Sequence, residues 1–128
     1  KTESPERSRR ILIIEDDEHI ARVYSMKFAK EGYDTILAID GEEGVEKIIT
    51  EKPDLIVLDM MLPKKDGFFV LEEVKKNPAL ANVRILIISN LGQKTDQDRA
   101  LALGANEYLV KVESSMQEVI DKVKSYLQ

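Results

Sequence analysis

Residues 56–67, Ile-Val-Leu-Asp-Met-Met-Leu-Pro-Lys-Lys-Asp-Gly, decide how this chain is read. Ile56-Val57-Leu58 is apolar at consecutive rather than alternate positions, which predicts a short strand buried on both faces. The run ends in one carboxylate, Asp59. Pro63 and Gly67 punctuate the loop that leaves it. A single ionised group therefore sits where a buried strand meets a loop, and in open α/β sheets that edge is where sites are built.

The same grammar repeats on either side. Ile11-Leu12-Ile13-Ile14 predicts strand one, ending in Glu15-Asp16-Asp17-Glu18. A helix follows with Ile20, Val23, Tyr24 and Phe28 at helical spacing, closed by Gly32. Tyr33 to Ile39 reads as strand two. Asp40 to Glu43 opens helix two in the manner of a capping box, with Val45, Ile48 and Ile49 as its inner face. Pro53 breaks the chain before strand three, Leu55 to Leu58. Helix three starts near Asp66 and buries Val70, Leu71 and Val74 before Asn77-Pro78. Arg84 to Ile88 predicts strand four, ending in Ser89-Asn90. Thr95-x-x-Asp98 is expected to open helix four, which Gly104 ends. Tyr108 to Val110 predicts strand five, ending in Lys111. Ser114-x-x-Gln117 is expected to open the last helix, whose stripe is Met116, Val119, Ile120, Val123 and Leu127.

Five alternations of apolar strand and amphipathic helix predict an α/β fold: a (βα)5 doubly wound, five-stranded parallel sheet with helices on both faces. Residues 1–10 are polar and lack periodic apolar positions, so they are expected to form a disordered tail, with one domain over 11–128. The 128 residues suffice for one core without a disulfide or structural metal. The absence of Cys excludes thiolate zinc clusters and thiol nucleophiles. A net charge of -5 with both signs interspersed argues against direct nucleic-acid binding. No apolar run reaches the roughly 18 residues of a membrane span, and no signal peptide is visible, so a cytoplasmic location off the membrane is expected.

Strand ends of a parallel sheet share one edge. Glu15 and Asp16, Asp59, Ser89 and Lys111 are therefore expected there together. Strands one and three are neighbours if the order is 2-1-3-4-5, an order that periodicity alone does not fix. Carboxylates crowded to about 4 Å repel by about 4 kcal/mol at an effective dielectric near 20. A cation must offset this. Lys111 supplies one charge, and oxygen ligands without His or Cys suit a hard divalent ion, Mg²⁺ first. Such a site points to phosphoryl chemistry, with Asp59 itself a possible nucleophile forming an acyl phosphate.

These residues resemble the response-regulator receiver domain of two-component phosphorelay systems, from Ile11 to Leu127. The resemblance rests on Glu15-Asp16, on Asp59 with the loop Met60-Met61-Leu62-Pro63-Lys64-Lys65-Asp66-Gly67, on Ser89, on Tyr108 and on Lys111, each at its strand end. It implies the strand order 2-1-3-4-5. It also implies that Asp59 accepts a phosphoryl group from a phosphohistidine on a sensor histidine kinase or histidine phosphotransfer protein. Asp16, Asp59 and the Met61 carbonyl would bind Mg²⁺, with Glu15 acting through a metal-bound water. Lys111 and Ser89 would hold phosphoryl oxygens, and Tyr108 would be the switch aromatic. The output face would be helix four, strand five and helix five, read by an effector or target that this sequence does not itself identify. The chain would be a phosphoacceptor assisting its own chemistry, not a turnover enzyme.

Three positions depart from the family pattern. Val112 stands where a proline usually follows the lysine, which puts the family's cis peptide in doubt. Asn90 replaces a small residue beside the site and is expected to narrow access. Asn106-Glu107 replaces an acidic pair of the winged-helix transcription-factor branch, which weakens the case for that branch's dimer. Met61 and Leu91 are expected to flank the phosphoryl group. Neither can orient water by hydrogen bonding, so a long-lived phosphoryl form is expected.

Other readings compete. A haloacid-dehalogenase-like phosphatase would need a DxDx[TV] pattern after strand one, which Glu15-Asp16-Asp17-Glu18-His19 does not supply. A flavodoxin-like carrier would meet an acidic loop that repels phosphate. A receiver that binds partners without phosphorylation remains the alternative, kept open by Asn90 and Val112.

Overall fold

The computed structural model describes residues 8–128. The strands are β1 (Arg10–Ile14), β2 (Asp34–Ala38), β3 (Leu55–Leu58), β4 (Arg84–Ser89) and β5 (Glu107–Val110). The helices are α1 (Glu18–Lys30), α2 (Gly41–Glu51), α3 (Gly67–Lys76), α4 (Lys94–Ala102) and α5 (Met116–Leu127). Short 3-10 turns follow α3 and β5. All strands pair in parallel in the order β2-β1-β3-β4-β5, as the resemblance implies. The expectation for residues 1–7 of the tail lies outside the described residues. Arg10 belongs to β1, one residue before the expected start, and its backbone N–H donates to Asp54 Oδ2 at 2.8 Å.

Side-chain alternation splits the core in two. Leu12, Ile14, Ile56, Leu58, Ile85 and Ile87 face α2, α3 and Ala100 of α4. Ile11, Ile13, Leu55, Val57, Leu86 and Ile88 face α1 and α5. Each fully buried Ile or Leu contributes about 1.5–3 kcal/mol, so the three central strands are the best-held part of the molecule. β5 is only half buried along its length.

Three local expectations are corrected. Ile49 is 51% exposed rather than inward. Helix α2 instead buries Gly44 and Ile48 on its inner face, and a Cβ on Gly44 would lie 2.7 Å from the Ile14 side chain; Gly41 is buried against the Lys65 backbone. Helix α4 begins at Lys94, with Gln93 as its N-cap and no side-chain cap bond, so Thr95 lies inside the first turn. Helix α5 is capped by Ser115 rather than Ser114. Ser114 Oγ donates back to Val110 O at 3.0 Å, leaving Ser115 and Glu118 to make both halves of a capping box. Gly32 and Gly104 close α1 and α4 with φ of 95° and 112°, where any other residue would be strained.

Candidate phosphoryl and metal site

Register brings the chemistry together. Ile14 lies opposite Leu58, so the next residues, Glu15 and Asp59, leave the sheet side by side. The Asp59 N–H donates to Ile14 O at 3.0 Å, and the Glu15 N–H to Ala38 O at 3.0 Å. Ser89 lies opposite Val110, which points Lys111 at the same edge. The expected grouping of Glu15, Asp59, Ser89 and Lys111 is therefore present, and buried polar groups at this edge are all hydrogen-bonded.

Both oxygens of Asp59 are engaged. Oδ1 accepts from Ser89 Oγ at 2.8 Å and from the Met61 N–H at 3.1 Å. Oδ2 meets Lys111 Nζ at 3.2 Å. That ammonium also donates to Glu15 Oε1 at 2.8 Å, while Glu15 Oε2 accepts from the Asp17 N–H at 3.1 Å. Asp16 stays exposed at the mouth. Asp17 is the N-cap of α1: its side chain accepts from the Ile20 N–H at 3.1 Å, so it joins the cluster only through its backbone N–H. His19 is exposed.

The charges perturb one another. Burial pushes the Glu15 carboxyl up from its ordinary value, against the hydrogen bonds from Lys111 and the Asp17 N–H; nearby Asp59 pushes it further. For Lys111, burial alone pulls downward, but the bonds and charges of Glu15 and Asp59 together outweigh it and raise the pKa. The ammonium thus stays charged. One ammonium therefore faces three carboxyl groups in a small volume.

Carboxylate oxygens of Glu15, Asp16 and Asp59 lie within 4.8 Å of one another. The donors are all oxygen, and one carboxylate is open to water. That set fits a hard divalent cation such as Mg²⁺, which keeps several waters and takes one or two carboxylates.

The loop after β3 is fixed from below. Asp66 accepts from the Phe69 N–H at 3.0 Å and starts α3. A Cβ on Gly67 would lie 2.6 Å from Met60 Cα, so only glycine lets the helix begin this close to Asp59. Sequence reasoning missed a second support. The Gly41 N–H donates to Lys65 O at 2.9 Å, and buried Asp40 pairs with Lys64 at 3.8 Å. Asp40-Gly41 reads in the sequence as a helix cap and nothing more, because its other contact is tertiary.

On the β5 side, the Tyr108 hydroxyl donates to Leu91 O, and the Leu91 N–H donates to Ser89 Oγ at 3.2 Å. Burial is the main cause raising the Tyr108 pKa. Asn90 is exposed, and its Oδ1 accepts from the Val112 N–H at 3.1 Å. No cis peptide occurs among the described residues. Asn106 Oδ1 accepts from the Ile85 N–H at 2.8 Å, and Glu107 takes the Tyr126 hydroxyl at 2.9 Å and Lys122 at 3.4 Å. This pair is structural here. No helix among the described residues is long and apolar enough to cross a membrane.

Comparison with known proteins follows the same lines. The Bacillus subtilis alkaline phosphatase synthesis transcriptional regulatory protein PhoP is 39% identical over 121 residues, covering 94% of this chain and 49% of that protein. The Synechocystis DNA-binding dual master transcriptional regulator RpaA is 37% identical over 119 residues, covering 93% and 49%. The chain thus spans about half the length of these curated relatives. Among solved structures, the receiver domain of the Francisella response regulator 1452 has a TM-score of 0.84 at 33% identity, covering 93% of this chain and 96% of that one. A CheY-like receiver domain protein from Methanospirillum hungatei gives 0.87 at 26% identity, covering 94% of each. The model of the response regulator receiver domain matches residues 11–124, and the chain belongs to that family of two-component signalling domains.

Proposed function

We propose that Asp59 is the phosphoacceptor of a signalling switch. A phosphohistidine on a sensor histidine kinase or histidine phosphotransfer protein gives up its phosphoryl group. The P–N bond breaks, a P–O bond forms to the Asp59 carboxylate, and the histidine leaves as the neutral imidazole after taking a proton. Asp16, Asp59 and the Met61 carbonyl would hold Mg²⁺, with Glu15 acting through water. The ion would neutralise developing charge on the phosphoryl oxygens. Lys111 holds one phosphoryl oxygen and Ser89 another. Drawing Ser89 onto the phosphate biases the arrangement of Tyr108 and of α4, β5 and α5, where an effector domain or downstream target reads the state. The domain assists its own phosphorylation and dephosphorylation and turns over no external substrate. A cytoplasmic location and no direct contact with nucleic acid complete the reading.

The observation that carries it is the bracket on Asp59, with Ser89 Oγ at 2.8 Å on one oxygen and Lys111 Nζ at 3.2 Å on the other. The test is incubation with acetyl phosphate and Mg²⁺ followed by intact mass. A single phosphate adduct that is absent in Asp59→Asn, and absent when the divalent ion is chelated, is expected. An adduct that persists in Asp59→Asn overturns the assignment. Met61 and Leu91 offer no hydrogen bond to an attacking water, so the adduct decays slowly. Polar residues at both positions speed its loss, and an unchanged decay rate removes that part.

A further inference from the structure

Ser89, Asn90 and Leu91 are consecutive, yet each is tied to a different place. Ser89 Oγ reaches Asp59 at the end of β3. Leu91 O receives the Tyr108 hydroxyl of β5. Between them, Asn90 Oδ1 receives the Val112 N–H, 3.1 Å away in the turn beyond β5. Asn90 and Val112 are each one residue past a side chain that grips Asp59, namely Ser89 and Lys111. The Val112 side chain is 79% exposed and Asn90 is exposed, so this bond joins no core.

The register explains why a link here matters. Ser89 opposite Val110 is the last pair of the β4–β5 ladder. Beyond it the two backbones part, and the Asn90 side chain joins them again one step further on. The donor exists because residue 112 carries a backbone N–H, which a proline would lack. We propose that the Asn90–Val112 hydrogen bond is a strut that sets the spacing of the segments carrying Ser89 and Lys111, making Asn90 a positioning residue for the phosphoryl site. This rests on Asp59 being the phosphoacceptor. Two groups that must hold one phosphoryl unit lose rate steeply when their separation loosens.

The strut is cut from either end by Asn90→Ala or Val112→Pro. Time courses with acetyl phosphate and Mg²⁺, read by intact mass, are expected to slow about fivefold in each, the factor for one net hydrogen bond. The double variant is expected to be no slower than the slower single one, because both changes cut the same bond. In the unphosphorylated protein, the Val112 amide is expected to exchange with deuterium about fivefold faster in Asn90→Ala. Multiplicative slowing in the double variant, unchanged rates in the singles, or equal Val112 exchange overturns the strut. The two failures are distinguishable. A wild type that forms no adduct overturns the phosphoacceptor reading and this role with it, whereas an adduct that forms equally fast in Asn90→Ala overturns the strut alone.

Discussion

The β3–α3 and β4–α4 connections leave neighbouring strands, enter helices on the same face of the sheet, and are built in opposite ways. Helix α3 buries Gly67, Phe68, Val70, Leu71 and Val74 and is capped by Asp66. Helix α4 buries only Ala100 and has no side-chain cap. Arg99 holds it to α3 from the solvent side, 4.0 Å over the Phe68 ring and 3.4 Å from Glu72. The strand that presents the acceptor thus feeds a fixed helix. The strand that presents the hydroxyl feeds a helix held by few buried contacts. Elements that move in switching come from the low-stability end of a fold, and α4 meets that description in its burial.

The widest gap between the two helices should appear on truncation. Leu71 is fully buried against the sheet, so Leu71→Ala is expected to cost about 2–5 kcal/mol. Leu101 of α4 is 43% exposed, and Leu101→Ala is expected to stay within about 0.5 kcal/mol. Urea unfolding with unchanged slope measures both. Comparable losses at the two sites would abolish the contrast.

A smaller contrast concerns the helix starts. Asp66→Ala removes an acceptor from the Phe69 N–H and is expected to cost about 1 kcal/mol. Gln93→Ala removes no side-chain cap bond and is expected to cost close to nothing on that account, although Gln93 O still receives the Gln97 N–H at 3.0 Å. The same urea midpoints decide between them.

The asymmetry between these helices was half legible in the sequence. Asp66 ahead of an apolar run announces a capped helix, and Val70, Leu71 and Val74 announce its buried face. For α4 the sequence offered Thr95 and Asp98 as a cap pattern, and tertiary context placed the start at Lys94 instead. The grouping of Glu15, Asp59, Ser89 and Lys111 was legible because strand ends of a parallel sheet share one edge, while the order that makes β1 and β3 neighbours came from the resemblance and not from periodicity. The Asp40-Gly41 support and the Asn90–Val112 bond were not legible. Each joins a local turn residue to a backbone group more than twenty positions away, and no short-range pattern encodes such a pair. Ile49 misled for a related reason: Gly44, not a third large residue, makes the face on which α2 closes against Ile14 of β1.

The firm half of the molecule still carries an internal cost, at Glu15. Its carboxyl is raised above the ordinary 4.5, first by burial, so the folded chain binds that proton more tightly than the unfolded chain does. The resulting contribution to stability is complete below pH 4.5 and is lost as the pH rises through the folded value. At neutral pH the ionised group therefore works against the fold. Lys111 and the Asp17 N–H return part of that cost. Gln at this position keeps the shape and one of the two acceptors and removes the charge. In metal-free buffer the urea midpoint of Glu15→Gln should gain on wild type as the pH rises from about 4 to about 7. Added Mg²⁺ should close the gap, because a cation at the cluster stabilises the ionised carboxylates of wild type more than the neutral amide. Parallel midpoints across that range would mean that Lys111 fully offsets the burial of Glu15. The carboxylate cluster would then be as settled as the strands beneath it.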